Sequence, residues 1–198
     1  MQETLKLVKK MEQELEGLSY TGSDRNNCVA TLLTASIEHG ASIAELVVMG
    51  RLTSAYALIR PMFESSVRGL WIASCATDEQ IEKIVRTDNF PKKISFAGMI
   101  AGVESAQGWA GTLSEMWERG KNALHSFTHG GMHLVAKRLT DDEVYHKPGS
   151  AEIADLEIAI VIITSISFSG FVQLSGTREK DDFLEVLFKK ICEEYCST

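Results

Sequence analysis

A chain of 198 residues, 44% hydrophobic and 24% charged, has the composition of a globular protein that can bury a core without a disulfide or metal staple. Its net charge of −7 argues against a nucleic-acid footprint spread over the whole surface. Cys28, Cys75, Cys192 and Cys196 form no CxxC pair, so they read as reduced thiols of a cytoplasmic protein rather than a zinc site.

Only three prolines interrupt the chain, strand-like alternation is scarce, and long stretches carry helical periodicity. The opening "MQETLKLVKKMEQELEGL" is charged and lacks the apolar run of a signal peptide; it predicts a helix over 2–18. A second helix, rich in Ala, Gly, Ser and Thr, is expected over 26–49 with Ser23 or Asp24 as its cap. The third runs over 53–76. Thr77-Asp78-Glu79-Gln80 has the form of a capping box opening a short helix to Arg86, and Pro91 suits the first turn of a helix reaching Ala106. Thr112-Leu113-Ser114-Glu115 predicts another capping box, for a helix that Gly130-Gly131 ends. A loose segment over 132–150 precedes two last helices, 151–174 and 178–195. The uncharged run "IAIVIITSISFSGFVQL" is short for a membrane span and carries four Ser/Thr and a Gly; a central, fully buried helix is the expectation, with no membrane partner. The whole reads as an all-α, single-domain bundle of six to eight helices.

Within the third helix, Arg60, Glu64 and Arg68 recur at i,i+4 and so lie along one side, while the opposite side is free of charge. A helix with so little polar surface is packed on most sides, which puts the ionic row in a partly enclosed place. Pro61 removes one backbone donor, displaces the carbonyl of Ala57 and re-aims Arg60 through a kink. The plain reading is a salt-bridge ladder. The functional one is an arginine, oriented by Glu64, that recognises an anionic group.

"RGKNALHSFTHGGMH" holds His125, His129 and His133, the first two sharing a helix face. A zincin would need Glu directly after His125, where Ser126 stands, and a di-iron bundle needs two Glu-x-x-His motifs where Glu143-Val-Tyr-His146 is the one present. No metal or cofactor is therefore expected. The plain reading is a helix stop whose terminal histidine faces the helix dipole. Arg119 and His125 resemble the Arg-x(4–6)-His pattern of HEPN domains; that resemblance implies a dimeric RNase with both residues at the scissile phosphate.

"SAYALIRPMFESSVRGLWI", followed by "LHSFTHGG", resembles a group of uncharacterised bacterial helical proteins of about this length. The resemblance implies that Arg60, Glu64 and His129 belong to one recurring constellation, and it carries no activity. The leading expectation is a binding module with an enclosed polar pocket for a small anionic ligand. Arg60 recognises the anion, Glu64 orients Arg60, Arg68 joins the row, and His125 and His129 line the facing wall, with His39 a further candidate. A homodimer is the expected assembly. A structural or assembly role through the first and last helices is the third expectation.

Overall fold

The computed structural model describes residues 1–138, 149–177 and Phe183. Eight helices and no strand occur among them: α1 (Gln2–Leu15), α2 (Asp24–Val48), α3 (Leu52–Ser74), α4 (Asp78–Thr87), α5 (Phe96–Gln107), α6 (Thr112–His129), α7 (Met132–Arg138) and α8 (Ser150–Ser175). The all-α bundle is as the periodicity predicts. Apart from Phe183, the expected last helix lies outside the described residues, as do Cys192, Cys196 and the Glu143–His146 pair.

Local chemistry sets the ends. Ser23 Oγ accepts from the Asn26 amide at 3.1 Å, and Thr77 and Gln80 satisfy each other's amides in a full capping box. Gly130 closes α6 in the left-handed conformation, at φ 71°. Two expectations fail. Ser95, not Pro91, opens α5, because its hydroxyl takes the Gly98 amide at 3.0 Å. The box at Thr112 does not form either. Gly111 is the cap residue, and Glu104, reaching across from α5 and buried, accepts from Ser114 N at 3.0 Å and Ser114 Oγ at 2.5 Å. The carboxylate satisfies the free amide of the first turn and sits where the helix dipole favours negative charge.

α2 packs chiefly on α3 and α8, and the core runs along these three helices. The small residues of α2 permit the approach: a β-carbon on Gly40 would sit 2.3 Å from Thr164 Cγ2. Leu33, fully buried, lies against Gly69 of α3 and Gly170 of α8. At the far end of α3, Arg25 donates to the carbonyls of Ile72 at 2.5 Å and Ala76 at 2.9 Å and also pairs with Asp78, tying α2 to orphan carbonyls of the α3 terminus.

Between the three helices runs a chain of buried hydroxyls. Ser36 donates to the Met62 carbonyl at 2.9 Å, and Ser167 lies 3.0 Å from Ser36 Oγ and 2.9 Å from Ser66 Oγ. Each hydroxyl owns one hydrogen, so the direction is forced: Ser66 donates to Ser167, Ser167 to Ser36, Ser36 to the carbonyl. Replacing Ser167 by Ala breaks the chain at its centre and should cost about 1–2 kcal/mol in urea unfolding. An unchanged urea midpoint would show that the hydroxyls rearrange without loss.

α8 departs from the expected fully buried helix. It is long and apolar enough to cross a membrane by length and composition alone, and half of its most apolar window is buried. One face meets α1, α2 and α3, whereas Ala159, Ile162, Ile166 and Ser169 stay partly exposed. A helix on the outside of a bundle buries one stripe only.

Candidate functional site

α3 runs unbroken through Pro61 and carries Arg60, Glu64 and Arg68 one turn apart. Glu64 serves both neighbours. Arg60 Nε donates to its Oε1 at 2.7 Å and Arg68 Nη2 to its Oε2 at 3.0 Å. The three side chains keep 26%, 17% and 37% of their exposure, so the row is screened rather than sealed, more open than the enclosed pocket expected. The reason is the length of the arginine stems, which pack along the helix and deliver their charged ends to its edge.

The facing wall is α6, which runs antiparallel to α3: Arg60 meets His125 while Phe63, further along α3, stacks on Trp117, nearer the start of α6, at 6.0 Å. Arg60 Nη1 lies 2.9 Å from His125 Nδ1. A guanidinium can only donate, so Nδ1 is the acceptor and the ring carries its proton on Nε2. His129 follows one turn later with its ring centroid 4.5 Å from that of His125. Arg60 is thus held by two bonds that fix its plane, and Nη2 has no protein partner among the described residues. Two guanidiniums share one carboxylate, which leaves the row with a surplus positive charge.

The remaining candidates fall elsewhere. His39 is half-buried on α2, and no hydrogen bond, ion pair or ring contact among the described residues joins it to this group. Arg119 is 83% exposed and pairs with Glu115 at 3.6 Å; no contact joins it to His125. The six-residue spacing places the two about 120° apart around α6. Among the described residues no three His, Cys, Asp or Glu side chains gather as a metal set. Burial pushes the Cys28 and Cys75 thiols above their ordinary range, Asp24 adding to the effect at Cys28.

The structure adds residues that sequence reasoning passed over. Tyr56 stands one turn before Arg60, stacks on Phe127 of α6 at 4.8 Å, and donates its hydroxyl to Glu152 at the start of α8. At the other end, Arg68 lies over the Phe90 ring, 4.8 Å from its centroid. The i,i+4 step from Tyr56 to Arg60 was visible in the sequence; the partners, distant along the chain, were not.

Burial, then the bond to Glu152 and its charge, push the Tyr56 phenol far above its ordinary 10.0. The folded chain therefore holds this proton where the unfolded chain loses it. The stabilisation is complete below pH 10 and is withdrawn as pH rises further, at up to about 1.4 kcal/mol per pH unit. Urea midpoints at pH 9 and pH 11 should separate more in the wild type than in Tyr56→Phe; equal separations would remove Tyr56 as the cause.

No curated protein and no solved structure shows significant similarity to the chain. The sequence profile of the family described as "Family of unknown function (DUF6988)" matches residues 33–179, which include every residue of the Arg60–His125 group. The chain belongs to this family.

Proposed function

We propose that the chain is a binding module that takes a small anionic group at the outer edge of Arg60, beside the His125–His129 pair. The observation that carries this reading is the state of Arg60. Two of its nitrogens are fixed, by Glu64 and by His125, and the third, held in a preset plane, has no partner among the described residues. Preorganised guanidinium donors suit carboxylate and phosphate oxygens. The proton on His125 Nε2 and the adjacent His129 ring offer further polar contacts on the same wall. The proposal includes a homodimer and a cytoplasmic location.

The test is a titration with phosphate, sulfate and small dicarboxylates, followed by NMR of the arginine Nε–H and histidine ring signals. Saturable shifts at Arg60 and His125 are expected. Arg60→Met should weaken binding at least about tenfold, the scale of a hydrogen bond to a charged group. Arg119→Ala should leave it unchanged, since that side chain is spent on Glu115 in solvent. Titrations without saturable shifts would overturn the reading. An RNase needs Arg119 and His125 at one phosphate, and no observation favours that arrangement over anion binding.

A further inference from the structure

The partly exposed stripe of α8 has an internal symmetry. Asp155, Ala159, Ile162, Ile166, Ser169 and Gln173 follow one another at steps of four, three, four, three and four, the spacing of a coiled-coil seam. Read outward from Thr164, the stripe repeats its character in both directions: isoleucine two residues away, a small residue five away, a polar residue nine away. An antiparallel copy of the helix, crossed at Thr164, would set Ile162 against the partner copy's isoleucine at 166, alanine against serine, and aspartate against glutamine. Large would meet large, small would meet small, and the polar groups would fall at the rim.

The stripe from Asp155 to Gln173 carries charge at one rim position only, and it spans roughly 27 Å at 1.5 Å per residue. Beside its C-terminal half lies a depression of about 340 Å³, walled by Trp109 and Thr112 and floored by Ile162, Ile166 and Ser169. Half of the most apolar window of α8 is buried, and the stripe residues Ala159, Ile162, Ile166 and Ser169 keep part of their exposure among the described residues.

We propose that a second copy of this chain docks on this stripe, antiparallel and about a two-fold axis that crosses α8 level with Thr164, a residue which itself faces α2. Such an interface is isologous, each residue meeting its mirror position, and a sequence symmetric about one point is what a two-fold axis asks of a single helix. Side chains spaced at 3.5 residues interlock at a crossing angle of about 20°. This identifies a surface for the homodimer proposed above and makes no use of Arg60 or His125, so its failure leaves the anion reading standing.

Sedimentation of the full chain tests it. The wild type should be a dimer at micromolar concentration, and Ile162→Lys or Ile166→Glu alone should be monomeric while retaining anion binding. The double variant I162K/I166E should recover the dimer, because each lysine then faces a glutamate across the axis. A wild-type monomer, single variants that stay dimeric, or a double variant that stays monomeric would each overturn the proposal. If the charged variants unfold, cross-linking decides. With the native cysteines changed to serine, a mixture of Ala159→Cys and Ser169→Cys chains should form a mixed disulfide in excess of either like pair; a statistical mixture would sink the antiparallel register.

Discussion

Truncating Leu33 to alanine should cost about 2–5 kcal/mol, the range for emptying a large aliphatic site in a close-packed core. Leu33 is fully buried, and its two methyl groups rest where two glycines of other helices leave room: Cδ2 is 2.8 Å from where a β-carbon of Gly69 would stand, and Cδ1 3.0 Å from that of Gly170. The surrounding helices cannot close over the space without moving α3 and α8 together, which places the cost in the upper part of the range. The same geometry predicts non-additivity. Gly69→Ala alone forces its methyl onto Leu33 and should destabilise; in the Leu33→Ala background that methyl fills part of the void and should cost nothing or restore stability. Urea unfolding of the two single variants and the double variant measures the coupling. Simple additivity would show that Leu33 is not the obstacle to a side chain at 69.

Enlarging Gly40 should produce a graded loss, about 1–2 kcal/mol for alanine and about 3 kcal/mol or more for valine. Two effects oppose each other. Alanine relieves the backbone entropy of a mid-helix glycine, worth about 0.5–1 kcal/mol. Against that, its methyl would stand 2.3 Å from Thr164 Cγ2, with Ile160 and Met62 each at 3.5 Å behind. Thr164 cannot swing clear cheaply, since its hydroxyl donates to the Ile160 carbonyl at 2.7 Å and the residue is fully buried. Overpacking of this kind typically costs about 1–3 kcal/mol, so sterics outweigh entropy. Gly120 is the control. It also lies within a helix, but a β-carbon there meets only Leu124 at an ordinary 3.5 Å. Gly120→Ala should therefore stabilise by about 0.5–1 kcal/mol. Thermal unfolding of the two alanine variants should move in opposite directions; a shared direction would refute the assignment of close approach to Gly40.

The sequence made visible what depends on neighbours in the chain. Thr77 with Gln80, Ser23, and Gly130 mark helix ends through bonds or backbone conformations that span four residues or fewer. The i,i+4 row of Arg60, Glu64 and Arg68 was legible for the same reason, because helical geometry alone brings those side chains together. Features joined by folding were hidden. Glu104 takes over the start of α6 from across a turn, Arg25 reaches carbonyls some fifty residues away, and Tyr56 meets Glu152, 96 residues further along the chain. Composition also misplaced α8. An uncharged run signals burial without saying how many sides are covered, and here one stripe faces outward.

The serine chain has a consequence for how the bundle finds its arrangement. Aliphatic side chains along α2, α3 and α8 are nearly interchangeable, and sliding one helix by a turn would still bury oil against oil. The hydroxyls of residues 36, 66 and 167 resist such a slip: displaced by a turn, each must fall back on a carbonyl of its own helix, as Thr164 does, and the bonds that join the helices are lost. Three small polar groups thereby act as an alignment key, selecting one longitudinal setting among several that grease alone would tolerate.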